Sequence, residues 1–148
     1  MTWIDCQLLA GDELLLYYGG YARGHKIERF TERQIGLATM PRDRYVARRA
    51  GAEQGTLRTP TVLADGAALT VNASVEGELR VRILNDEGQV IPGFDFADSA
   101  LIRGDAVAHP VQWKQPLLTL KGRPLQLEFS MTKAQLYSFD LGAAAPGQ

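Results

Sequence analysis

The residues that could do chemistry are few, and the two histidines, His25 and His109, come first. They lie far apart, form no i, i+4 pair and sit in no Cys/His array, so nothing in their spacing supports a metal site. His109 precedes Pro110 and reads as a loop or edge residue. His25 ends the stretch Gly19-Gly20-Tyr21-Ala22-Arg23-Gly24-His25, which puts an aromatic face, a cation and an imidazole into one loop. Tyr21 would stack on a sugar ring, Arg23 would donate charged hydrogen bonds and His25 would add a polar partner. An ordinary glycine-rich hairpin loop has the same composition, and both readings stand. The dinucleotide fingerprint does not: no helix follows these glycines and no βαβ unit surrounds them.

Paired carboxylates suit glycoside hydrolysis or a bound Ca²⁺, which brings Asp95, Asp98 and Asp105 forward. Asp95 and Asp98 fall within Gly93-Phe94-Asp95-Phe96-Ala97-Asp98-Ser99, where Asp and Ser more commonly close turns. Their spacing fixes no catalytic distance, and no nucleophile elbow of the G-x-S-x-G type is present. Trp113 alternates with Val111 and so shares its face, which reads as core packing rather than a carbohydrate platform. Tyr137 and Phe139 read the same way. No residue is assigned a catalytic role, and no metal or cofactor is expected.

The elements that must hold these residues are short apolar runs bounded by Gly, Asp, Asn or Pro. Glu13–Tyr18 is stopped by Gly19-Gly20, and Gln34–Met40 by Pro41; both have strand length. Trp3–Leu9, across Gly11-Asp12, would partner the first of them. Further on, Leu69, Val71, Ala73 and Val75 alternate with polar residues, and Leu79, Val81 and Ile83 do so after Glu76-Gly77. That pattern predicts a hairpin turning at the glycine. Asn85-Asp86-Glu87-Gly88 forms a second turn, leading into the short Gln89-Val90-Ile91. Leu125, Leu127, Phe129 and Met131 alternate in turn, and Leu136–Leu141 closes the series. Nowhere do ten residues carry a helical stripe; Ile27–Arg33 would hold a helical turn at most. The fold expected is all-β, a jelly-roll-like β-sandwich preceded by a few antiparallel strands.

Composition sets the outer bounds. The chain has 148 residues, 45% of them hydrophobic, and a net charge of −1, which fits one compact core and gives no general basic field for nucleic acid. No apolar run reaches the length of a membrane helix. Cys6 is the single cysteine, so neither an internal disulfide nor a cysteine-based zinc cluster is available. The N-terminal residues do not read as a signal peptide, and a reducing cytoplasm is slightly favoured. Residues 1–50 hold eight Lys/Arg against six Asp/Glu, and 51–148 eight against eleven, which supports a boundary near Gly51. The cluster Arg42, Arg44, Arg48 and Arg49 just before it reads as a solvated face, since no aromatics interleave it.

As a set, these segments resemble a known architecture. Gly11–Gly20, Ile35-Gly36-Leu37-Ala38-Thr39 and Arg42-Asp43-Arg44-Tyr45 are similar to the final blade of bacterial five-bladed β-propeller glycosidases related to glycoside hydrolase families 32 and 43. Gly55–Thr59, Leu69–Ala73, Gly77–Val81 and Ile91–Phe94 resemble the opening strands of the β-sandwich that follows that blade. Gly104-Asp105, His109–Trp113 and Leu136–Phe139 resemble its second half. The resemblance implies blade-like strands over 1–49, a sandwich over 50–141 and a tail over 142–148. The catalytic carboxylates of that family stand on earlier blades, and no residue here matches them. It therefore implies a non-catalytic, carbohydrate-associated module, with Tyr21, Arg23 and His25 as ligand-binding residues. Two alternatives stand beside it: a structural or oligomerising domain without ligand, and a subunit whose catalytic blades lie on another chain. The partners expected are carbohydrate, a second copy or a propeller chain, and neither nucleic acid nor membrane.

Overall fold

A computed structural model describes residues 2–21 and 33–142, and the strands they form pair antiparallel. The chain divides into two compact units, Met1–Arg44 and Tyr45–Gln148. The expected boundary at 49/50 falls within a short strand of the second unit. Arg48–Ala50 pair with residues 134–136 of the last strand and so belong to the second unit.

The first unit is a three-stranded meander of β1 (Thr2–Ala10), β2 (Glu13–Tyr21) and β3 (Arg33–Pro41), with β2 in the middle. Gly11, at φ +62°, makes the tight β1–β2 link that an L side chain would strain. The glycine pair expected to stop β2 does not: the strand continues through Gly19 and Gly20, opposite Ile35 and Gln34, to Tyr21. The register and the two-residue side-chain period put Ile4, Leu9, Leu14 and Leu16 on one face. Leu8, Leu15, Leu37 and Ile35 share the other. Both faces are apolar, and Leu14 is the one buried hydrophobic of this unit among the described residues.

The second unit is built on two long strands, β7 (Ala68–Leu84) and β9 (Pro124–Gly142), paired from Ala68↔Gly142 to Leu84↔Gln126. Three short strands, β4 (Arg48–Ala50), β5 (Gly55–Arg58) and β6 (Val62–Leu63), pair in succession with the other edge of β9. On the far side of β7 runs β8 (Ile102–Val111). Register shifts at Asn72/Ala73 and Val75/Glu78 break the β7–β9 ladder. Such bulges sharpen the twist, and the sheet curls into a half-barrel with a sandwich-like interior. Its inner face carries Leu69, Val71, Ala73, Val75, Leu79, Val81 and Ile83 from β7. From β9 come Leu125, Leu127, Phe129, Met131, Ala134 and Leu136. Phe94, Leu117 and Leu120 cover this core; the last two lie on a 3₁₀ turn, Leu117–Leu120.

The two alternating runs expected to form a hairpin at Glu76-Gly77 are therefore one strand. Gly77 is the point where backbones approach: a Cβ there would lie 2.3 Å from the carbonyl oxygen of Thr132. The runs 125–131 and 136–141 likewise merge into β9, across Lys133 at φ +45°. The turn at Asn85–Gly88 forms as expected, with Gly88 at φ +81° donating to the Asn85 carbonyl. Gln89–Ile91 contributes a single bridge, Val90 to Leu84.

Candidate functional site

Tyr21 ends β2 and faces Arg33, the first residue of β3, in register. The Arg33 guanidinium lies 5.2 Å from the centre of the Tyr21 ring, a cation–π contact across the strand ends. Arg23 and His25, the other two residues expected to grip a sugar, lie outside the described residues.

The carboxylates do the work of turns. Asp95 Oδ1 accepts from the Phe96 amide at 2.7 Å, and Asp98 Oδ2 from the Asp95 amide at 3.3 Å. Lys114 Nζ sits 2.7 Å from Asp98, and this hydrogen bond is the main reason the Asp98 carboxyl is held below the usual carboxylate range. Asp105 is in β8, opposite Ser74. His109, also in β8, places Nε2 3.1 Å from the Ala73 carbonyl oxygen, a structural contact at the sheet's outer strand. Arg42 is 3.6 Å from Asp12 and 3.9 Å from Asp43. Among the described residues, no group of three or more His, Cys, Asp or Glu is placed to hold a metal ion.

Sequence reading missed a three-strand charge ladder on the outer face of the second unit. Glu128 of β9 is opposite Arg58 of β5 on one side and Arg82 of β7 on the other. Arg58 donates Nε to Oε2 at 2.6 Å and Arg82 donates Nε to Oε1 at 2.8 Å, so each carboxylate oxygen has its own guanidinium. Arg82 also stacks over Phe96 at 4.5 Å, and Arg80 Nη1 donates to the carbonyls of Phe96 (3.3 Å) and Ser99 (2.6 Å). The arginines thereby pin the 95–99 segment against β7. Separations of 46 and 70 residues leave no local pattern from which this ladder could be read.

A second feature lies where β7 begins and β8 ends. A cleft of about 550 Å³ opens there, walled by Thr70, Pro110, Gln112, Trp113, Gln115 and Pro116 among others. Trp113 packs against the core, as expected. Its Nε1–H donates to the Val81 carbonyl at 2.7 Å, and its ring meets Phe94 edge-on at 5.7 Å. The half-buried indole nevertheless also lines the cleft, which the alternation of Val111 and Trp113 does not reveal. Compared with protein-family models, with curated proteins and with solved structures, the chain matches none.

Proposed function

We propose that this chain is a non-catalytic, carbohydrate-associated module related to the C-terminal region of a glycoside hydrolase, with a blade-like meander ahead of its half-barrel. The observation that carries the reading is the two-sided apolar character of the meander. An antiparallel sheet at a protein surface has one apolar and one polar face, whereas a propeller blade is stacked between neighbours and is apolar on both. Here Ile4 and Leu9 stand on one face and Ile35 and Leu37 on the other, all more than half exposed. The second unit supports a binding rather than a reacting role: the carboxylates Asp95, Asp98 and Glu128 are engaged by turn amides, Lys114 and arginines.

A glycan array on the whole chain tests the reading. Saturable binding to at least one saccharide class is the expected result; a chain that binds no glycan overturns it. The same exposed faces favour a second reading, assembly with a second copy or with a partner propeller chain. The order β1–β2–β3 also leaves β1 and β3 at the edges of their sheet, where a further strand could pair. Light scattering at micromolar concentration distinguishes the cases: a dimer supports self-assembly, and a monomer leaves a partner chain as its only form.

A further inference from the structure

The cleft beside Trp113 has the size of a small-ligand site, about 550 Å³ against a usual range of roughly 300–1,000 Å³. Its chemistry is narrower than its size. None of the described residues that line it is ionisable: the walls are alanine, leucine, valine, proline and tryptophan, with Thr70, Gln112 and Gln115 as the polar side chains. Lys114, the one charged residue adjacent to Trp113 in the chain, is held by Asp98 and is not part of the wall. The indole is fixed before any ligand arrives, by its hydrogen bond to Val81 and its edge contact with Phe94. A ring already locked in place loses little conformational freedom on binding.

A fixed indole beside proline rings suits a ligand with a C–H surface, and the amides and hydroxyl suit a ligand with a rim of hydroxyl groups. We propose that this cleft, rather than the Tyr21–His25 loop, seats the saccharide, and that the saccharide is neutral. The inference rests on the carbohydrate reading above and adds to it the place and the charge of the ligand. A uronate, sialate or sugar phosphate would bring its anion into a wall whose described residues offer no cation, at a cost in desolvation that neutral amides repay poorly.

The test uses the whole chain carrying Trp3→Phe, which leaves Trp113 as its only indole. Cello-, xylo- and malto-oligosaccharides are titrated against oligogalacturonides while tryptophan emission is followed. The expected result is a saturable change in Trp113 emission with a neutral oligosaccharide and none with the acidic series. Gln112→Ala, which removes a hydrogen-bonding amide, and Ala108→Arg, which fills part of the cleft, both at exposed wall positions, each weaken binding about tenfold. The Tyr21→Ala/His25→Ala double variant binds as the parent does. Thermal melts of all variants verify that the fold is kept. If neutral oligosaccharides bind but the cleft variants leave affinity unchanged, the inference fails and the carbohydrate reading survives. Preference for the acidic series also overturns the inference alone. No binding to either series overturns both.

Discussion

Glu128 is nearly inaccessible, yet it carries its charge between two guanidinium groups, so two opposing influences act on its carboxyl. Burial pushes its carboxyl up; hydrogen bonds from Arg58 and Arg82, with their charges, outweigh that and leave it below its ordinary value of 4.5. A carboxyl depressed in the folded state adds stability above its unfolded pKa, and that stability is lost as pH falls through the folded one. The melting temperature of the chain should therefore decline as the pH is taken below about 4.5, and Glu128→Gln should flatten the Glu128 share of that decline. At neutral pH the same variant removes the charge that both arginines share, although Arg82 keeps Asp95 at 3.6 Å. Breaking a buried pair costs about 3–5 kcal/mol, but Arg58 is 47% exposed and can rehydrate, so a loss of roughly 2–3 kcal/mol is expected. Urea melts of both proteins at pH 7 and pH 4 check this; parallel pH dependences would refute it.

Between Leu79 and Leu84, β8 no longer borders β7, and irregular chain takes over the work of a strand. The Ile83 amide donates to the Phe94 carbonyl at 3.0 Å, the Val81 amide to Ser99 Oγ at 3.2 Å, and the Val81 carbonyl accepts Trp113 Nε1–H. Ser99→Ala would leave a buried amide without its acceptor, lowering stability by about 1–2 kcal/mol. Amide exchange at Val81 should accelerate with it; unchanged exchange would show that another acceptor takes over. Gly77→Ala should cost about 1–3 kcal/mol, because a Cβ 2.3 Å from the Thr132 oxygen forces β7 and β9 apart, and this appears in the same melts. These two positions also mark the limit of what the sequence shows. Alternation at 69–75, 79–83 and 125–131 identified the inward side chains, because side-chain period is a local property. In the sequence Gly77 reads as a turn, because turns and close backbone approaches both ask for glycine. The odd-numbered apolar positions continuing from Val75 to Leu79 are the signal that distinguishes them, since one uninterrupted strand keeps that parity. The cover supplied by 94–99 and the Arg–Glu–Arg ladder were invisible for a different reason: both are long-range contacts, several of them to backbone atoms that carry no residue signature. The same holds for the cleft, which exists only once β7, β8 and the 112–117 segment have been brought together.

The two units differ in what holds them. Among the described residues, Leu14 is the only buried hydrophobic before Ala50, while the curled sheet of the second unit encloses the remainder. A three-stranded sheet needs one face covered by apolar packing to be stable on its own, and the meander's described side chains give it almost none. The half-barrel has its own core and supplies its own edge cover, through β8 and the 94–99 segment on one side and β4–β6 on the other. Residues 45–148 should therefore fold alone, with a single cooperative urea transition and a β-sheet circular dichroism spectrum, while residues 1–44 alone should be unstructured. A disordered 45–148 fragment would mean that the core depends on the meander. Because every described residue that lines the Trp113 cleft belongs to the second unit, the folded fragment should also keep the neutral-saccharide affinity of the whole chain. Folding of the fragment with loss of that affinity would separate stability from binding and return the sugar site to the first unit.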